Sequence, residues 1–281
     1  MSSRTEQETR RSPTVIGEIV GLQRAEFARA ASLQGRILYV QIAIALVAIA
    51  TVVRNDLVVY IAALATMTGG LVWARADYQY KESRAQAERA RRATLLTDGL
   101  GGALSAAEVR DLKAHFSVTA EQGRLLEDAS YYATHENPGP QRLAEMLEET
   151  AFWTFQLLRY SAKRFWLLFT AFLACGLLLL FGSIPFASTQ QVLGGVRIAC
   201  AMLVLLVSTD VLGRALAYSR ASHTVDRICL RIKEIKPSGY PRCDLLMILC
   251  DYNSAVECAP MPAAGIYEKH RDQLNRLWNE S

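Results

Sequence analysis

From Ile37 to Ala74 the chain is almost wholly apolar, and Arg54 and Asp56 are the only charged residues in the run. A transmembrane helix takes about 20 apolar residues, and no fewer than about 17, because each residue rises about 1.5 Å through a hydrocarbon core of about 30 Å. Ile37 to Val53 and Leu57 to Ala74 each meet that limit. One span over the whole run would overshoot the bilayer and place Arg54 and Asp56 near its middle, costing about 2.5–3.5 kcal/mol each. Arg54-Asn55-Asp56 therefore reads as the turn between two antiparallel spans.

A second pair follows at FWLLFTAFLACGLLLLFGS (165–183) and VLGGVRIACAMLVLLVST (192–209), joined by IPFASTQQ. Pro185 and the polar residues after it stop the third helix, since proline lacks an N–H and polar groups favour the interface. Half of the residues are hydrophobic (51%), yet the mean hydropathy is only +0.13, so apolar residues are gathered into segments rather than spread through a soluble core. The spans leave no room for a large soluble catalytic domain. The N-terminus has basic residues but no apolar h-region after them, so it is expected to be retained and cytosolic.

Basic residues set the orientation. Six Lys/Arg precede the first span, thirteen lie between Arg75 and Arg164, and ten follow from Arg214 onward; only Arg54 and Arg197 fall elsewhere. The positive-inside rule makes both termini and the central segment cytoplasmic. The expected fold is all-α and polytopic, with four transmembrane helices in two hairpins and helical cytoplasmic stalks. Its parts are a cytoplasmic N-terminal helix (1–36), a first hairpin (37–74), a helical insert (75–164), a second hairpin (165–213) and a helical tail (214–281).

The second span should run on through ARADYQYKESRAQAERARRATLLTD, which lacks proline and glycine, until Gly99, Gly101 and Gly102. Ser105 with Glu108 and Thr119 with Gln122 read as capping boxes of two short helices. Val109, Leu112, Phe116, Leu125 and Leu126 of these helices would pack on the stalks. After the break HENPGP a long helix climbs from Gln141 into the third span. The fourth span likewise continues to Pro237 and Gly239, and the tail offers helices near 244–254 and 263–279.

Candidate chemistry is sparse. No C-x-x-C pair, Walker A motif, Rossmann glycine pattern or H-E-x-x-H is present, and the four histidines are dispersed, so neither a metal nor a cofactor nor an enzyme is expected. Arg197 and Asp210, at the edges of the fourth span, are about 20 Å apart on a helix. They are candidates for a pore or its gate, or else interfacial anchors, with Asp210 paired to Arg214. Arg89, Arg91 and Arg92 form a cluster able to grip an anionic ligand such as a nucleotide phosphate, or a solvated helix face, or an attraction to acidic lipid. In the tail, CAPMPAAGIYEKHRDQLNRLWNES sets an extended approach through two prolines before an amphipathic helix carrying Tyr267 and Arg271. That helix either docks on the stalks or serves a ligand.

Four features together resemble the S-4TM family, the four-transmembrane effectors associated with bacterial cyclic-oligonucleotide synthases. They are the lead-in GLQRAEFARAASLQ (21–34), the helical insert between two hairpins, the cytosolic extension of the fourth span, and P-x-P followed by IYEKHRDQLN. The resemblance implies a homo-oligomer in the bacterial inner membrane that opens a pore or disrupts the bilayer when a nucleotide signal of phage infection is sensed. Its partners would be the lipid bilayer, further copies of itself and a cyclic oligonucleotide, not a nucleic-acid polymer. The competing expectation is a non-conducting scaffold that recruits a cytosolic protein.

Overall fold

A computed structural model describes residues 15–50, 56–128, 131–182, 206 and 210–280. Every regular element among them is helical: α1 (Val15–Ala50), α2 (Asp56–Leu100), α3 (Ala106–Ala114), α4 (Ala120–Arg124), α5 (Pro140–Gly182), α6 (Val211–Ile235), a 3₁₀ turn (Lys236–Ser238), α7 (Arg242–Cys258) and α8 (Ile266–Asn279). Three of these helices are long and apolar enough to cross a membrane, over Val15–Val47, Leu57–Leu100 and Pro140–Leu178. The expected fourth span (192–209) lies outside the described residues apart from Leu206, as do Arg54 and Asn55 of the first turn.

The chain forms two compact units. One comprises Met1–Ala30, Lys81–Phe152 and Arg227–Glu257; the other comprises Ala31–Tyr80, Trp153–Asp226 and Cys258–Ser281. Helices α1, α2 and α5 each run without a break from residues of one unit to residues of the other.

The first unit has an ordinary apolar core. Leu143, Met146 and Leu147 of α5, Leu95 of α2, Ile228 and Ile232 of α6, and Leu245, Ile248 and Leu249 of α7 are all buried. Leu112 packs with Ile19 and Ala90, and Phe116 lies against them as expected. Leu125 does not pack: as the C-cap of the five-residue α4 it points outward and is 82% exposed.

The helix ends follow local chemistry, with two corrections. Gly99 does not end α2. It stays helical and permits close approach of α5, because a Cβ there would lie 3.0 Å from Leu143 Cα; Gly101, with φ 72°, makes the turn instead. At Thr119 both halves of the capping box form. At Ser105 only one does: its hydroxyl accepts from the Glu108 N–H, while the Glu108 carboxylate is drawn to Arg89 at 2.7 Å. Pro140 opens α5 at a position where its missing N–H leaves nothing unsatisfied.

Long-range polar contacts then fix the loops of this unit. Arg142 donates to both carboxylate oxygens of Asp98 (3.0 and 2.9 Å), to the Asp98 carbonyl and to the Glu136 carbonyl, tying the end of α2 to the start of α5. The fully buried Glu26 of α1 accepts from the N–H groups of Ser117 and Val118, and Arg29 donates to the Ser117 carbonyl. The lead-in segment around residues 21–34 therefore anchors the α3–α4 connection.

Candidate functional site

The apolar stretches of the second unit set the environment in which any site must work. Leu64, Met67 and Leu71 of α2 are 60, 68 and 67% exposed, and Leu167 of α5 is 70% exposed. Only 6% of the most apolar 18-residue stretch of α2 is buried. Surfaces of this size and polarity require lipid or a further apolar partner. Large exposed aromatics flank them. Tyr39, Trp73, Tyr78 and Trp166 lie beside the ends nearest the basic segments, and Tyr60 lies toward the opposite end of its stretch. Tyr60 and Tyr78 are separated by about 27 Å of helix, close to a hydrocarbon thickness, and amphipathic rings favour those two depths.

The three arginines of α2 do not converge. Arg89 pairs with Glu108 (2.7 Å) and Asp111 (2.6 Å), and its hydrogen bonds to these carboxylates, together with their charge, raise its pKa. Arg92 pairs with Glu257 at 2.8 Å and is partly exposed. Arg91 turns inward, 7% exposed, beside the equally buried Glu88 at 2.6 Å and over the ring of Tyr252 at 5.1 Å. Burial works against its charge, but Tyr252, Glu88, Tyr132 and Tyr131 outweigh that and hold its pKa above the ordinary value. Among the described residues the Arg91 Nε and the buried Tyr132 hydroxyl have no hydrogen-bond partner, and burial pushes the Tyr132 pKa well up. Arg91 is thus an internal cation of the first unit. Arg89 and Arg92 are surface cations, each already held by carboxylates.

Tyr267 and Arg271 belong to α8, in the second unit. Ile266 and Leu274 are the buried residues of this amphipathic helix. His270 stacks on Tyr160 of α5 with ring centroids 3.9 Å apart, and Tyr267 meets Trp153 at 6.1 Å while remaining half exposed. Arg271 is exposed. The contacts of this helix with α5 thus include two aromatic pairs.

Arg197 lies outside the described residues. Asp210 is described, and it corrects one expectation: with φ 49° it interrupts any continuous helix at that point, and α6 begins at Val211. Aspartate is one of the few residues that adopts this conformation readily, because its short polar side chain bonds locally. Its carbonyl accepts from the Arg214 N–H at 2.9 Å, so the contact between these residues is a backbone one.

One polar arrangement was not foreseen. The connection between α7 and α8, Ala259-Pro260-Met261-Pro262-Ala263-Ala264, is held by side chains of four helices. The Met261 carbonyl accepts from the Tyr218 hydroxyl of α6 (2.5 Å) and from Gln34 Nε2 of α1 (3.3 Å). The Met261 N–H reaches the Tyr80 hydroxyl of α2 at 3.5 Å. On α5, Ser161 Oγ accepts the Ala263 N–H (3.0 Å), and Arg164 donates to the Ala264 carbonyl (2.8 Å). Each of these side chains sits within about two helical turns of an apolar stretch, on the side toward the basic segments. The two prolines were the visible signal for an extended segment; nothing local announced what it would dock against.

Among the described residues no group of three His, Cys, Asp or Glu side chains is placed to hold a metal ion. No protein family, curated protein or solved structure matches the chain.

Proposed function

We propose that this chain is a membrane effector of bacterial antiphage defence, which opens a pore or disrupts the inner membrane when a nucleotide signal is sensed on its cytoplasmic side. It acts as a homo-oligomer of four-span subunits in two hairpins, with both termini cytoplasmic and no catalytic step of its own. The reading rests on the S-4TM resemblance and on one structural observation. Helices α1, α2 and α5 present apolar residues outward along one length and continue unbroken into a unit packed around an ordinary core. A change of packing in that unit is thus continuous along the chain with the apolar lengths.

The first hairpin is supported by the contact of Gly69 with Ile44, where a Cβ on Gly69 would come within 2.9 Å of the Ile44 side chain. Close approach through a small residue is how helices associate where lipid offers no hydrophobic drive. For sensing, the candidates are Arg89 and Arg92 in the first unit and, separately, Tyr267 and Arg271 in the second. An incoming phosphate would exchange with Glu108, Asp111 or Glu257, so that ligand energy is coupled to rearrangement. A ligand shifts such an equilibrium only by its differential affinity for the two states.

Purified protein in liposomes, with dye and ion leakage followed before and after a panel of cyclic di- and trinucleotides, tests this. Leakage with one nucleotide alone is the expected result. Tight membranes throughout, with oligomeric protein confirmed in them, would replace this reading with the non-conducting scaffold.

A further inference from the structure

We propose that residues 259–264 form a removable latch, which closes the membrane-facing unit by tying α1, α2, α5 and α6 to one extended segment and must leave before these helices separate. The inference rests on the gated reading above and gives it a mechanical element.

The chemistry of the segment fits reversible docking. The five side-chain hydrogen bonds described above all go to its main chain, at Met261, Ala263 and Ala264, and none of them uses a loop side chain. Pro260 and Pro262 have no N–H to satisfy, and the donors at Met261 and Ala263 meet Tyr80 and Ser161. The prolines also fix φ, so the segment loses little conformational entropy on docking. The buried side chains of the segment are small, Ala259 and Ala263, and Pro260, Met261 and Pro262 are half-buried, so the apolar surface that opposes release is confined to one short segment. The four helices keep their internal hydrogen bonds whether or not the segment is in place. A connector between α7 and α8 needs only length. Bonds to four separate helices, all beside their apolar stretches, are what a fastening needs.

Tyr218→Phe and Ser161→Ala remove a donor and an acceptor with almost no change of shape. In the full-length protein in liposomes, the double variant is expected to show exchange of the Met261 and Ala263 amides faster by about tenfold or more, with exchange at Leu143–Leu147 unchanged. Leakage without any nucleotide is expected with it. Pro260→Gly/Pro262→Gly, which loosens the segment without touching its partners, should do the same and guards against a folding defect in the first variant. If wild-type protein leaks with nucleotide but both variants stay closed while their segment exchanges freely, the latch is wrong and the gated reading survives. If neither wild type nor variants leak under any nucleotide, gating itself fails and takes the latch with it.

Discussion

Helix α2 is built in two opposite ways along one continuous element. Between Leu57 and Trp73 its large apolar residues point outward, whereas between Ser83 and Thr97 its polar residues Ser83, Glu88, Arg91, Thr94 and Thr97 are buried. Water as solvent would make the first part costly and gives the second no obvious advantage. The two halves make sense if the surroundings change along the helix: lipid around the first, and around the second a folded unit large enough to enclose an ion pair. The polarity of what is exposed, more than helix length, thus marks where the solvent changes.

The strongest way to break this comparison is to charge the outward face of the apolar half. Leu64→Arg/Met67→Arg places two guanidinium groups where lipid is inferred, at about 2.5–3.5 kcal/mol each near the bilayer centre, or about 5–7 kcal/mol together. The variant is expected to lose membrane integration of α2, read as the fraction resisting alkaline extraction from membranes. Full integration, or a stable water-soluble product, would mean that the exposed apolar face meets something other than lipid.

The buried half is probed by Arg91→Met. Removing one partner of an enclosed ion pair strands the other, so Glu88 is left uncompensated and the first unit should lose about 3–5 kcal/mol. Glu88→Gln/Arg91→Met should recover most of that loss. Exchange protection at Leu143–Leu147 in the full chain measures both. A neutral single variant would show that Arg91 is not enclosed, and the two halves of α2 would no longer be opposites. The surface arginines contrast with it, since exposed pairs such as that of Arg92 with Glu257 contribute no more than about 1 kcal/mol.

These residues also show what was legible in the chain. Helix starts at Ala106 and Ala120 follow from Ser105 and Thr119, because capping is local chemistry, while α5 starts one residue before the expected Gln141, at Pro140, which suits a first helical position. The long helices follow from unbroken runs of helix formers. Arg89, Arg91 and Arg92 are near neighbours in sequence, yet at about 100° per residue they point in different directions and meet carboxylates on different elements. Which of them turned inward depended on Tyr252 and Tyr132, far along the chain. The segment 259–264 is the extreme case: Gln34 and Met261 are 227 residues apart, and no local pattern encodes such a choice of partner. Leu125 failed for the opposite reason, since a helix of five residues is too short for its apolar residues to select one face.

The smallest expected effect sharpens the account of the enclosed unit. Burial raises the Glu149 carboxyl above its ordinary value of 4.5, and the hydrogen bond from the Ala133 N–H, 3.0 Å long, only partly offsets it. At acid pH below that ordinary value, both folded and unfolded chains hold the proton and Glu149 is neutral to stability. As pH rises through the window between the ordinary and the raised value, the unfolded chain ionises first, so the native state binds more protons and stability falls. Above the window the loss is complete. Glu149→Gln keeps an oxygen for Ala133 and removes the charge, so at neutral pH it is expected to raise the thermal midpoint of the unit slightly. The gain should fade to nothing as the pH is lowered past the ordinary carboxylate value. A gain that is instead independent of pH would place Glu149 in contact with water, and the enclosure would have to stop short of that face of α5.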